Sequence, residues 1–343
     1  MHELSLMESA LRIATEHAGS AGATRILSVT LRVGALSGVV PEALQFAFDV
    51  LREGTAAAGA ELHIQHEPVR ARCGCSPGDV FETAGSVCVC PRCSAPTADI
   101  LSGREMDLVS MEVETPLMSP VTVRTISIEE AVHGKNLAVA QENRARFGNA
   151  GVLAANLLSS PGAGKTALLE ATLRDTHADM PGAVIVGDLQ TDNDAQRLGR
   201  WGATAIQVTT GDICHLDAGM VQRAMAELDL ASLSVVYLEN VGNLVCPTSF
   251  DLGESLRVAL MSVTEGEDKP LKYPGAFKWA DLILVTKIDL ADAVGFDRDA
   301  ALSNLKRVSP AARILEVSSR SGAGMEQWYE TLRGRLPARE RKP

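Results

Sequence analysis

The stretch "NLLSSPGAGKT", Asn156 to Thr166, constrains this chain of 343 residues more than any other. It sits between an apolar run and a helical pattern, the setting a phosphate-binding loop requires. Gly162 and Gly164 let the backbone curl so that its N–H groups point at phosphate oxygens. Lys165 reaches toward the β and γ phosphates of a nucleotide, and Thr166 toward Mg2+. Ser160, Ala163 and Ala167 complete the expected cradle, and Ser159 stands where the general pattern has glycine. The flanking segments agree. "VLAANLL", "AVIVGD", "SVVYLEN", "VALMSV" and "DLILVTK" are near-continuous apolar runs that alternate with helical stretches. That pattern predicts an α/β P-loop fold with a mostly parallel sheet covered on both faces.

Two of those strands end in carboxylates. Asp188 closes "IVGD" as an expected Mg2+-side ligand, and Glu239 closes "VVYLE", followed by Gly242. A carboxylate at such a strand end can orient the metal or the attacking water, and the glycine can sense the γ phosphate. Lys165, Asp188 and Glu239 form the expected catalytic set. Asp192 and Asp194 read instead as a solvated loop and a helix cap. In "ILVTKIDL", Lys287 and Asp289 have the spacing of a guanine-reading motif. A carboxylate only accepts hydrogen bonds, so it suits the N–H groups of guanine and rejects adenine. Thr286 replaces the usual asparagine, and its hydroxyl can still brace the loop. "VSSRSG" with Ser318 resembles the loop that supports the base.

The first half reads differently. Leu4, Met7, Leu11 and Ala14 repeat at helical spacing, "TRILSVTLRVG" alternates as a half-buried strand, and Pro41 opens a helix that stops at Gly54. "AELHIQHEP" and "MDLVSMEVE" read as further strands. This predicts a small α+β domain over residues 1–114, with a zinc-binding loop at about 70–100. Residues 115–122 carry two prolines and little periodicity and read as a linker. The second domain is then 123–343, opening with a helical lead-in, "ISIEEAVHGKNLAVAQENRARFG".

Five of the seven cysteines lie between Cys73 and Cys93. With no basic, apolar leader at the N-terminus, that clustering argues for a metal site in a cytoplasmic protein rather than a disulfide scaffold. Cys90 and Cys93 have the spacing of a tetrahedral Zn2+ knuckle. Cys73 and Cys75 supply the second pair, one residue tighter than usual, and this keeps Cys88 open as a replacement for either. Cys214 beside His215, with Cys246 further on, offers soft N/S donors suited to Ni2+ or Zn2+, although adjacent ligands of this kind are too few alone. His2 lies next to an N-terminal amine that titrates near about 8, and the pair can chelate a divalent cation. The net charge of −11 disfavours a nucleic-acid partner. No run approaches about 20 uncharged apolar residues, so no membrane span is expected.

At these residues the chain resembles two families in tandem. "MHELSL", "LRVGALSGVVPEALQFAF", the thiolate loop and "SGREMDLVSMEVE" are similar to the hydrogenase nickel-incorporation protein HypA. "SSPGAGKT", "GDLQTDNDAQR", "GDICHLDAGMV", "ENVGNLVCPTSFDLGE", "SVTEGEDKPLKYP" and "TKIDL" resemble, in order, the hydrogenase maturation GTPase HypB, a SIMIBI-type GTPase. The resemblance implies that His2 and the terminal amine bind nickel, with Glu3 shaping the site, and that four thiolates hold structural zinc. It implies that Cys214, His215 and Cys246 carry nickel or zinc at a homodimer interface, and that GTP favours that dimer. It further implies GTP hydrolysis coupled to delivery of Ni2+ to the large-subunit precursor of a [NiFe] hydrogenase. Residues 115–150 hold no cysteine and one histidine, His133, so a high-capacity nickel store is not expected. Competing readings are a GTPase serving urease or a cobalamin enzyme, a zinc-ribbon regulatory GTPase, and a simple zinc store.

Overall fold

The computed structural model describes residues 2–75, 79–83, 88–97, 99–115, 122–132, 134–188, 193–210 and 214–337. The chain divides into two compact units, Met1–Lys135 and Asn136–Pro343. Among the described residues no helix is long and apolar enough to cross a membrane.

The first unit opens with helix α1 (His2–Ser20), followed by β1 (Arg25–Gly34), α2 (Pro41–Leu51), β2 (Glu61–Glu67), β3 (Val69–Arg72), β4 (Val80–Thr83), β5 (Ile100–Ser102), β6 (Met106–Thr115) and β7 (Thr122–Ala131). β2, β1, β6 and β7 form one sheet in that order, with β1 and β2 parallel and the remaining pairs antiparallel. The alternation read in β1 holds: Val29, Leu31 and Val33 are buried, and Thr30 and Arg32 lie on the other face. Helix α1 covers that apolar face with Leu6, Met7, Ala10, Leu11, Ile13 and Ala14, joined by Leu44 and Phe48 of α2. Leu4, expected on the apolar side, is 40% exposed; the buried stripe runs through Leu6 and Met7 instead. Burying each large apolar side chain contributes about 1.5–3 kcal/mol, so this face holds the unit together. A second sheet, β4-β3-β5, carries the cysteine segment.

The boundary differs from the sequence expectation. The helical lead-in begins as a strand, β7, whose Val123, Thr125 and Ser127 pair with Glu114, Glu112 and Ser110 of β6. The β-branched residues of "TVRTISI" and an unpaired sheet edge outweigh the helical character of the charges that follow. Most of the expected linker, residues 116–121, lies outside the described residues.

Helix α3 (Gly134–Asn149) leads into the second unit. Seven parallel strands follow: β8 (Leu153–Ser159), β9 (Gly182–Asp188), β10 (Thr204–Thr209), β11 (Val235–Glu239), β12 (Leu256–Ser262), β13 (Leu282–Thr286) and β14 (Arg313–Val317). Their order is β10-β9-β11-β8-β12-β13-β14. Helices α4 (Lys165–Thr176), α5 (Asn193–Gly199) and α6 (Ala218–Met225) are among those connecting them. β10 and β14 were not read from sequence, because each is only partly buried and carries polar residues. Separate cores fill the two faces: Trp328 and Tyr237 lie in one, Phe147 and Leu216 in the other. Chain order reverses around β8, which places a crevice at the carboxyl ends of β8, β9 and β11.

One close approach joins the two sheets of the first unit. A Cβ on Gly34 would sit 2.2 Å from the carbonyl carbon of Gly103, whose own φ is +107°. Replacing Gly34 with alanine is expected to cost on the order of 2–4 kcal/mol and to loosen the cysteine-bearing sheet. The check is a lower Tm with reduced zinc retention, while nucleotide affinity is unchanged.

Candidate nucleotide and metal sites

The loop after β8 folds as its glycines demand. Gly162 and Gly164 take φ of +75° and +99°, and helix α4 starts at Lys165. A cleft of about 600 Å3 opens over it, lined by Lys165, Thr166, Asp188, Glu239, Gly242 and Lys287 together with neighbouring loop residues. Lys165 is buried and donates to the Ser159 hydroxyl at 2.8 Å; loss of hydration lowers its pKa. The serine in the atypical position is thus the lysine's anchor. Thr166 donates to Glu239 Oε1 at 2.7 Å. Glu239 is 3% exposed, its Oε2 has no partner among the described residues, and burial pushes its pKa up to about 7. A hydroxyl, a strand-end carboxylate with a free oxygen and Asp188 across the cleft fit a hydrated Mg2+. Gly242 packs on the loop: a Cβ there would lie 3.0 Å from Pro161 Cα.

The residues of the expected base-reading motif stand beside this cradle. Thr286 donates to the Ala163 carbonyl at 2.7 Å, so its hydroxyl braces the phosphate loop. Lys287 adopts φ +58° and donates to the Gly162 carbonyl at 2.6 Å. Ser318 donates to Asp289 at 2.6 Å and fixes that carboxylate's position. Ser160 and Ala163 are buried beneath the loop rather than lining the cleft. Asp194 and Arg197 also line the cleft, the first expected as a helix cap and the second not among the expected site residues. Arg197 of α5 pairs with Asp194 and with Glu170 at 3.3 and 2.6 Å. Their spacing, i and i+3 on a helix, was the available signal. Asp192 lies outside the described residues.

A hydrogen bond from the cleft lining reaches the segment of the second cysteine site. Asn240, next to Glu239, accepts at 3.0 Å from the backbone N–H of Leu216, the residue after His215. Leu216 packs so tightly on β9 that a Cβ on Gly187 would lie 2.6 Å from its Cγ. The Cys246 thiol hydrogen-bonds to Cys214 and lowers its pKa to about 4, with His215 adding to the effect. The Cys246 pKa rises in turn, chiefly through the same bond. The contact favours ionisation of Cys214 over Cys246. His215 is buried, stacks on Phe250 at a centroid distance of 3.8 Å, and its Nδ1 has no partner among the described residues. Two sulfurs and an uncommitted imidazole nitrogen are soft donors, but the three do not gather within 4.8 Å of one another as Cys73, Cys90 and Cys93 do.

In the first unit the sulfurs of Cys73, Cys90 and Cys93 lie within 4.8 Å of one another, and Cys73 and Cys93 are 3.6 Å apart. Zn–S bonds of 2.3 Å put tetrahedral sulfurs roughly 3.8 Å apart, so the cluster fits Zn2+. The backbone N–H of Cys93 leads the effects that draw Cys90 down to about 7. Cys75 is exposed and outside this group. Cys88 is placed apart as well, buried against Val69 and Ala71. The tight turn that brings Cys90 and Cys93 together, with Cys90 N–H on the Ala95 carbonyl, leaves Cys88 under the sheet. At the N-terminus, α1 begins at His2, and Glu3 accepts from the Val40 N–H at 3.3 Å, tying α1 to the start of α2. Met1 and His133 lie outside the described residues.

Two outcomes are expected. Cys88→Ala should leave zinc content intact and cost about 1–2 kcal/mol of packing, whereas Cys90→Ala should lose zinc; metal analysis of the purified variants decides. Glu239 binds its proton more tightly when folded than its ordinary value of 4.5 allows. The nucleotide-free chain should therefore lose stability as pH rises from 4.5 to about 7, by up to about 3 kcal/mol from this group. Glu239→Gln should remove that portion of the pH dependence in thermal melts.

Comparisons with known proteins place both units. Residues 1–113 match the family model "HypA: Hydrogenase/urease nickel incorporation, metallochaperone", and residues 153–316 match "CobW/HypB/UreG, nucleotide-binding domain". The hydrogenase maturation factor HypB of Azotobacter chroococcum is 49% identical over 218 residues, covering 64% of this chain and 72% of that protein. The structure of HypB from Archaeoglobus fulgidus aligns with a TM-score of 0.56 at 38% identity, covering 59% of this chain and 98% of that one. HypB from Helicobacter pylori in complex with nickel aligns at 0.56 and 37%, covering 61% and 100%. The chain belongs to the HypB family of hydrogenase maturation factors and carries a HypA domain ahead of its nucleotide-binding domain.

Proposed function

We propose that this chain is a GTP-dependent nickel metallochaperone that delivers Ni2+ to the large-subunit precursor of a [NiFe] hydrogenase. The observation that carries the reading is the contact between the two sites of the second unit. Asn240 belongs to the strand end that faces the nucleotide, and it holds the backbone beside His215.

Each residue then has a task. Backbone N–H groups of residues 162–167 and Lys165 hold the β and γ phosphates, and Lys165 gives up its bond to Ser159 to do so. Mg2+, held by Thr166 and Asp188, would neutralise charge on those phosphates. Glu239, carboxylate when paired with that charge, orients the attacking water through its free Oε2. Asp289, fixed by Ser318, accepts from the N–H edge of guanine. Hydrolysis removes what Gly242 senses, and the segment 239–246 shifts at both its ends. One end carries Asn240 and the loop of Cys214 and His215; the other carries Cys246. Nickel is the cargo there, with a second copy of the chain supplying further ligands in a GTP-favoured homodimer.

In the first unit Cys73, Cys90 and Cys93 hold structural zinc, with Cys75 as the fourth thiolate. His2 and the terminal amine receive nickel, beside the helix start that Glu3 secures. Fusion keeps donor and acceptor at a high effective concentration.

Replacing Cys214 and His215 with alanine should abolish nickel binding to the second unit while GTP binding persists, read by equilibrium titration of both ligands. In a strain lacking the gene, this variant should leave hydrogenase inactive, with partial rescue by excess nickel. Unchanged nickel stoichiometry, or rescue by the variant without added nickel, would overturn the assignment. Assaying urease in the same strain separates the two nickel clients.

A further inference from the structure

Helix α3 has a second role beyond joining the units. We infer that Asn143 is a positioning residue that sets the spacing of the two metal-bearing loops, an inference that rests on the proposed nickel site. Asn143 is fully buried at the middle of α3. Its single amide nitrogen donates to two carbonyls: Ala218 at 2.8 Å and Leu252 at 3.1 Å. Ala218 follows the loop of Cys214 and His215 by three residues. Leu252 follows the Cys246 loop and stands two residues after Phe250, the ring on which His215 stacks. One side chain therefore bridges the exits of both loops.

Neighbouring contacts make the bridge stiff. Asn136, two turns earlier, accepts from the Ala218 N–H at 2.8 Å and donates to the Asp251 carbonyl at 2.7 Å. Arg144 holds both oxygens of Asp251 at 2.7 and 2.9 Å. Gly253, at φ +90°, lets the backbone come close enough: a Cβ there would lie 2.6 Å from the Ala140 carbonyl and from Asn143 Cβ. An amide that only filled the core would satisfy its own oxygen, yet Asn143 Oδ1 has no partner among the described residues. The two donor bonds are what the position retains.

A metal bound by Cys214, His215 and Cys246 needs those loops at one separation, within a few tenths of an ångström for a soft ligand set. Groups that orient ligands without touching the ion typically change affinity by 10–100-fold when removed. Asn143→Leu keeps the volume and deletes both bonds. The full-length chain is titrated with Ni2+, with the C214A/H215A variant subtracted as the baseline for nickel bound elsewhere. The expected result is Ni2+ affinity about 10–100-fold weaker and a displaced thiolate-to-nickel absorption band, with unchanged affinity for a non-hydrolysable GTP analogue. Wild-type nickel affinity and an unmoved band would overturn the inference. Loss of nickel and nucleotide binding together would also overturn it, marking Asn143 as a core residue only. Should Asn143→Leu not fold, Asn136→Ser deletes two bonds of the same bridge and decides by the same readouts. If the wild-type chain equals the C214A/H215A baseline, the nickel site itself fails, an outcome distinct from failure of the bridge.

Discussion

The bond from Thr166 to Glu239 is the constraint on which the rest of the second unit depends. It ties the first turn of α4 to the end of β11 beneath a nucleotide cleft. Burial makes that carboxylate costly to ionise and raises its pKa, and a hydroxyl donor is its partner. Both groups are oxygen donors of the kind Mg2+ binds. The adjoining residue, Asn240, is bonded to the loop beside His215. One hydrogen bond thus links the strand end at the cleft to the segment that carries Cys214 and His215.

The three cysteine environments show how one element serves different purposes. Around Cys73, Cys90 and Cys93 a turn gathers sulfurs at close spacing, and backbone N–H groups favour the thiolate. That is the close sulfur spacing a tetrahedral ion requires, with three of the four positions gathered. Cys214 and Cys246 instead hydrogen-bond to each other, which draws Cys214 toward the thiolate, and His215 has an unused nitrogen among the described residues. Among the described residues these three are less gathered than the first cluster. Cys88 does neither; it is a small apolar group in a small core.

Much of this was legible in the sequence because it is local. The phosphate loop, the strand-end carboxylates and the cysteine clusters are short motifs whose chemistry needs their spacing. The five buried strands of the second unit read clearly because they are apolar throughout. β10 and β14 escaped because edge positions bury only part of each strand. β7 escaped because its place depends on an open edge offered by β6, which no local pattern reveals. Cys88 could not be sorted from its neighbours by spacing, since a turn geometry decided it. Arg197 and Asn143 act across the fold, at separations of 27 and more than 70 residues, where sequence pattern is silent.

Thr286 and Lys287 bond to the carbonyls of Ala163 and Gly162, so the base-reading loop and the phosphate loop are one rigid block. The placement of Asp289, four residues or fewer from both bonds, is thus set relative to the phosphate cradle by the chain itself, so a change in either loop is felt by the other.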